Sequence, residues 1–445
     1  MHAIARTIST PATRPEAESL ESEVRYYSRI FPARIRSAVG AVLRDIHGRE
    51  WVDFFAGACA LNYGHNHPEM KARVIAYLES NGIVHSLDMD TEARAEFIHR
   101  FHDVVLAPRR LSYRLQFTGP TGTNCVEAAL KLARKVTGRT TVAAFTGAFH
   151  GMSLAALAVT ASAEKRHAIS GSLHDVVRFP FEGFLGGGEA ELRWIEAMLC
   201  ARGAGVDKPA AFIFECVQGE GGLNVATAPW AQRVCQIARS LGALVIVDEV
   251  QTGCGRAGDF FAFEALGIEP DMICLSKSLS GIGVPLAALL LRPELDVWAP
   301  GEHSGTFRGV NLAFIGGSTA LELWRSPEFT ALVERNRVTL HDRLAAIAAD
   351  LGPGICAVRG RGMMLGLAFR DPSVAQAIRQ DAFTAGLFLE NCGPDDEVCK
   401  TTPPLNIAAD SLERGLAILE RSVRAIALDR KRPAEPTTTP PAVSV

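Results

Sequence analysis

The sequence is short of several things, and each shortage excludes something. No sign of charge is in excess: 46 Lys and Arg stand against 49 Asp and Glu, a formal net charge of −3. Without a basic field, the chain has nothing to hold a phosphate backbone or an anionic bilayer, so no nucleic-acid or membrane partner is expected. Long hydrophobic runs are missing. Stretches such as Leu286–Leu291 fall far below the roughly 20 apolar residues that cross a bilayer. The opening residues carry arginines, serines and the acids Glu16, Glu18 and Glu21, but no apolar core of the kind a secretory signal needs. The ten cysteines are scattered without a Cys-x-x-Cys pair, which argues against a disulfide framework or a zinc site. No cluster of His and acids has ligand spacing, so no metal is expected. These absences predict a reduced, cytoplasmic protein. No internal repeat is visible.

What is present is a large apolar fraction, 48% of residues, enough for a sizeable core over two to four domains by length. Val39–Leu43 and Glu50–Phe54 read as a hairpin, and Pro68–Ser80 and Glu92–Val105 as helices. Strand candidates then alternate with helices: Tyr113–Phe117, Thr141–Phe145, Ala211–Glu215, Leu244–Val247, Met272–Leu275 and Leu286–Leu291. That alternation predicts an α/β fold whose mostly parallel sheet is covered by helices on both faces. Beyond residue 311 the pattern changes to long helices around short strands near Ile355–Val358 and Met363–Ala368, a smaller α+β domain. The expected division is a flexible 1–18, an N-terminal part of the small domain at 19–66, a large ligand-binding domain at 67–310, the C-terminal small domain at 311–431, and a disordered Pro/Thr-rich tail at 432–445.

In such sheets ligands bind beyond the carboxyl ends of the strands, so those ends are where chemistry is sought. Met272–Leu275 leads into Ser276-Lys277-Ser-Leu-Ser-Gly281. Taken singly, Lys277 reads as an ordinary surface lysine. Placed in a cleft and desolvated, it becomes a nucleophile and Schiff-base former. Leu244–Val247 ends in Asp248-Glu249, and alternation puts these two acids on opposite sides, one for a ligand and one for the structure. Phe149 and His150 follow another strand and offer an aromatic face and an imidazole. Thr118-Gly-Pro-Thr-Gly122-Thr123-Asn124 precedes a helix whose free N–H groups would seat a phosphate; its plainer reading is a loop capped by Asn124 and Glu127. His65 and His67 lie in a turn before a helix and read as structural, and His99 and His102 as exposed. In combination, the anion cradle, aromatic plate, strand-end carboxylate and strand-end amine are the parts that pyridoxal phosphate (PLP) requires.

Glu215–Gly222, Val247–Gly253, Ser276–Ser278 and Gly305–Gly309 together resemble the class III (ω-) aminotransferases of PLP-dependent fold type I, over about residues 21–420. Phe54–Pro68, Ser86–Met89, Thr118–Asn124 and Gly305–Gly309 are similar to the diaminobutyrate–2-oxoglutarate aminotransferases of ectoine and siderophore-type biosynthesis. The resemblance makes 67–310 the PLP-binding domain. It implies that Lys277 carries the cofactor, Asp248 pairs with the pyridine nitrogen, Phe149 stacks on the ring beside His150, and Gly122 and Thr123 hold the phosphate. Gln251 would contact the ring oxygen, and Thr306 the phosphate of a neighbouring subunit, in a homodimer or tetramer. Glu220 would mask a cation, here Lys400, that receives substrate carboxylates, with Arg308 sharing the work and Asn62 and Asp88 on the substrate side. Lys400 replaces the usual arginine, Cys59 a glycine and Val310 an asparagine. The implied reaction is transfer of an amino group from L-2,4-diaminobutyrate to 2-oxoglutarate. Another ω-aminotransferase (ornithine, acetylornithine or 4-aminobutyrate), a semialdehyde aminomutase, and a non-catalytic PLP-binding module are the alternatives.

Overall fold

The computed structural model describes residues 20–428; the expected flexible N-terminus and Pro/Thr-rich tail lie outside them. Seven strands form the central sheet, in the order Arg114–Phe117, Ala288–Leu291, Met272–Leu275, Leu244–Asp248, Ala211–Phe214, Val142–Phe145, Val176–Phe179. Ala288–Leu291 runs antiparallel to both of its neighbours, and all the other pairings are parallel. The sequence explains why the sheet is covered twice. In Val142–Phe145, Val142 and Ala144 enter one apolar cluster while Ala143 and Phe145 enter another. Ala211–Phe214 and Met272–Leu275 split the same way. A continuous apolar run is what a strand buried on both faces needs. The helix Gly122–Thr137 covers the face lined by smaller side chains. On the other face, Trp230 of Ala228–Ser240 packs against Phe145 and Phe214, in a cluster that extends to Phe97 and Phe314.

Among the described residues there are three further sheets, one of them the two-stranded pair Val217–Gln218 with Asn224–Val225. Ile35–Val39, Val42–Asp45 and Glu50–Asp53 form an antiparallel ribbon, to which Leu387–Phe388 adds in parallel. The expected Val39–Leu43 strand is broken at Gly40, whose φ of +55° makes the tight turn into the next strand. Cys356–Arg361, Met364–Phe369, Val398–Thr401 and Glu390–Cys392 form a four-stranded antiparallel sheet. The helices Pro327–Leu351, Pro372–Ala385 and Ala409–Val423 bury Leu340, Ile378 and Leu416 in one cluster with Val52 and Phe54 of the ribbon. Among the described residues, no helix is long and apolar enough to cross a membrane.

The expected α/β architecture is observed. One strand of the sheet, Val176–Phe179, was not expected from the sequence. Its four residues include Arg178 and follow a Ser- and Gly-rich stretch, so it carries no isolated apolar signal.

Candidate active site

The carboxyl ends of the parallel strands converge on a cavity of about 320 Å³. Gly122, Thr123, Phe149, His150, Glu215, Glu220, Asp248, Gln251, Ser276 and Lys277 are all in its wall. Topology gathers them: apart from Glu220, which follows the short strand Val217–Gln218, each lies at or beyond the end of a strand of the central sheet, although they span more than a third of the chain.

Asp248 is nearly inaccessible, and both its oxygens are held. Oδ2 lies 2.8 Å from His150 Nδ1, and Oδ1 accepts the Val250 N–H at 3.0 Å. A buried carboxylate needs such partners to offset its lost hydration. Burial would lower the pKa of His150, but the hydrogen bond and charge of Asp248, with Glu215 adding, raise it above its ordinary value. His150 therefore tends toward the imidazolium. His150 Nε2 is buried and has no partner. Glu249, on the opposite side, is a structural acid: it accepts Thr252 Oγ1 at 2.5 Å and the Phe263 N–H at 3.0 Å. Burial pushes it up to about 7.

Lys277 sits at φ +52°, in the left-handed region, and its backbone is pinned from both sides. Ser276 Oγ donates to the Leu286 carbonyl at 2.8 Å. Ser278 Oγ donates to the Cys59 carbonyl at 2.6 Å and accepts the Asn62 N–H at 3.1 Å. Cys59 closes a left-handed turn, Ala56 to Cys59, with φ of 46°, 58°, 54° and 69°. Three non-glycine residues hold that strained conformation beside the cavity.

Thr123 opens the helix Gly122–Thr137, and its Oγ1 lies 2.5 Å from Ser153 Oγ. The expected cap by Asn124 and Glu127 is only half present. Asn124 Oδ1 accepts the Thr121 N–H at 3.3 Å, whereas Glu127 reaches across to accept Ser153 Oγ and the N–H groups of Ala155 and Ala156. It caps the next helix, Leu154–Val159, because that N-terminus packs beside it.

The acids near Glu220 are more numerous than the sequence indicated. Glu220 Oε1 accepts Gln251 Nε2 at 3.1 Å and Lys400 Nζ at 3.0 Å. Lys400 is fully buried and also lies 2.9 Å from Glu390 Oε2. Burial acts to raise Glu220, but the charges of Lys400 and Lys277 outweigh it and hold its carboxyl low. Burial pushes Glu390 up, against the pull of Lys400. Burial would lower Lys400, yet the two glutamates raise it well above its ordinary value.

Five expected residues are not in this wall: Lys400 lies behind Glu220, and the other four are placed elsewhere. Asn62 is buried with its carboxamide committed: Oδ1 accepts Arg256 Nε and Nη2 at 3.1 and 2.6 Å, and Nδ2 donates to the Cys254 carbonyl. Both ends of the carboxamide are thus engaged by the protein. Arg308 and Asp88 face each other at 3.5 Å away from the cavity. Thr306 is exposed, its carbonyl 2.9 Å from His85 Nε2.

Sequence reasoning missed Glu215, Glu390 and Tyr27. Glu215 ends the apolar strand Ala211–Phe214, the same signal that singled out Asp248. It accepts the N–H groups of Phe149 at 3.0 Å and Gly219 at 3.1 Å, and burial pushes it up to about 7. Glu390 and Tyr27 had no such signal, since only the folded chain brings them to Lys400.

Residues 25–423 match the family model Aminotransferase class-III. The chain is 48% identical over 409 residues to the diaminobutyrate–2-oxoglutarate transaminase of Halalkalibacterium halodurans, covering 92% of this chain and 96% of that relative. It is 49% identical over 424 residues to the enzyme of the same name from Nocardia farcinica, covering 94% and 97%. It is 50% identical over 409 residues to an uncharacterized aminotransferase, y4qG, of Sinorhizobium fredii, covering 92% and 91%. Among solved structures, the ornithine aminotransferase of Toxoplasma gondii, with PLP partially occupying its active site, superposes with a TM-score of 0.78 at 25% identity, over 90% of this chain and 91% of that one.

Proposed function

We propose that this chain, which belongs to the class-III aminotransferases, transfers the distal amino group of L-2,4-diaminobutyrate to 2-oxoglutarate, giving L-aspartate 4-semialdehyde and L-glutamate. It is a PLP-dependent transaminase with amino-acid and 2-oxo-acid substrates. The observation that carries the site reading is the convergence of Lys277 and the Asp248–His150 pair on one cavity. The substrate reading is supported by the relatives of 46–49% identity that bear this name.

The residues present fit the cofactor. Asp248, fixed by His150, is the carboxylate for a protonated ring nitrogen. Gly122 leaves the backbone room at the helix N-terminus, because a Cβ there would meet Val250 Cγ1 at 2.7 Å, and that N-terminus with Thr123 suits a phosphate. Phe149 would flank the ring. The buried Gln251 Oε1 has no partner and is available to the ligand. When bound, PLP supplies the electron-withdrawing ring that makes a neighbouring C–H acidic. Lys277 would hold it, and its amine is the group placed to act as the base that moves a proton at the substrate carbon. Glu220 lies on the substrate side.

The same reading makes the enzyme a cytoplasmic homodimer serving ectoine-type biosynthesis. Motif resemblance supports the pathway. Exposed Ile83, Val84, Leu87, Met89 and Phe307, grouped about the exposed Thr306, support the dimer. The test is to offer purified protein 2,4-diaminobutyrate, ornithine, acetylornithine and 4-aminobutyrate with 2-oxoglutarate and to measure glutamate. Diaminobutyrate should be the best donor; strong turnover of ornithine with none of diaminobutyrate overturns the assignment.

A further inference from the structure

Lys400 meets three acceptors: Glu220 Oε1 at 3.0 Å, Glu390 Oε2 at 2.9 Å and the Gly219 carbonyl at 3.4 Å. Gly219 and Glu220 take up two of its hydrogens, and Glu390 stands beside it as a second counter-ion. The two glutamates are held differently. Glu390 is the direct cross-strand partner of Lys400 in the antiparallel pairing of Glu390–Cys392 with Val398–Thr401, and its Oε1 accepts the Tyr27 hydroxyl at 2.8 Å. Register and this second bond keep it where it is. Glu220 lies just past the short strand Val217–Gln218, lines the cavity and leaves a third of its side chain accessible; its other partner, Gln251 Nε2 at 3.1 Å, is itself a side chain of the cavity wall, so no strand register holds it.

Only Glu220 is thus placed to turn toward a substrate. If it were the sole counter-ion, its departure would leave a bare buried ammonium, which is strongly disfavoured. With Glu390 in place, the lysine stays neutralised. Burial raises Glu390 against the pull of Lys400, and when Glu220 turns away Glu390 is the acid that stays beside the ammonium. The converse holds for an incoming carboxylate, because Lys400 then has no unpaired charge to offer it.

We propose that Glu390 is a positioning residue that sets donor specificity: it holds Lys400 so that Glu220 is free to receive the ammonium at the far end of a diamino-acid donor, and it denies Lys400 to substrate carboxylates. This rests on the diaminobutyrate reading above. 2,4-Diaminobutyrate and 4-aminobutyrate share a chain and a reacting amine and differ only in that second ammonium, so their ratio isolates its recognition.

The test measures kcat/KM for both donors, and their dissociation constants by spectral titration of the holoenzyme, in the wild type and in Glu390→Gln, which keeps the shape and cannot take up charge. The wild type should prefer diaminobutyrate at least about tenfold, the size of one charge-assisted contact. Glu390→Gln should lose most of that preference and show a lower KM for 2-oxoglutarate, with the visible spectrum of the bound cofactor unchanged. An unchanged donor ratio in an active Glu390→Gln overturns the inference alone. A wild type that does not use diaminobutyrate overturns the functional reading and the inference with it. Should Glu390→Gln not retain cofactor, Tyr27→Phe, which removes the bond anchoring Glu390, should shift the ratio in the same direction, and an unchanged ratio there overturns the inference.

Discussion

Ser276 and Ser278 tie the backbone on either side of Lys277 to the Leu286 and Cys59 carbonyls, so the amine is presented by its neighbours and its side chain is left free to react. Lys277→Ala should retain its fold by circular dichroism, lose the yellow colour of bound cofactor, and turn over at least about a thousandfold more slowly. A second residue-scale prediction concerns Glu249. Burial raises its pKa from 4.5 to about 7, so between those values the folded state binds the proton more tightly than the unfolded chain. Stability from this group is therefore fully present at low pH and lost as pH rises through the window. Relative to Glu249→Gln, the wild type should lose on the order of 2–3 kcal/mol between about pH 5 and about pH 7, read from thermal midpoints across pH. A difference that does not vary with pH would show that the acid is ionised throughout. Lys277, Asp248 and Glu249 were legible in the sequence because each ends or follows an apolar strand, and alternation alone separates Asp248 from Glu249.

Among elements, the helix Gly122–Thr137 shows how far local reading goes. Its amphipathic pattern and its glycine-rich entry are visible in the sequence. The fit of Gly122 against Val250 is not, because Val250 comes from a different strand end. Gly122→Ala should weaken cofactor retention at least about tenfold, since a Cβ displaces the backbone at the anion seat; dialysis followed by absorbance measures it. The strands were legible where both faces are apolar, as in Met272–Leu275. Val176–Phe179 escaped because pairing with Val142–Phe145, and not its own composition, makes it a strand. The Glu127 cap went astray for a related reason: the spacing suited its own helix, but a neighbouring helix start lay within reach.

At the scale of the whole molecule, Arg256 joins three parts. Fully buried, it donates to Asn62 after the ribbon, and to the Met363 and Pro403 carbonyls of the C-terminal region. Its partners are carbonyls and a carboxamide, so the cation is held by geometry. Arg256→Leu leaves those acceptors buried and unpaired, and should lower the thermal midpoint by about 5 °C or more. Asn62→Ala should act in the same direction with the KM for the amino donor unchanged, whereas a raised KM would return Asn62 to the substrate side.

The sequence by itself determined six of the seven strands of the sheet, the order of its strand-end groups and the family, because these depend on local periodicity and on short motifs that survive without knowledge of contacts. The tertiary structure alone decided which charges face each other. Glu390 and Lys400 belong to strands whose register makes them direct partners, Tyr27 arrives from the far end of the chain, and Asn62 is drawn away to Arg256. Coulomb interactions and desolvation act through distance in space, and no spacing along the chain records that distance.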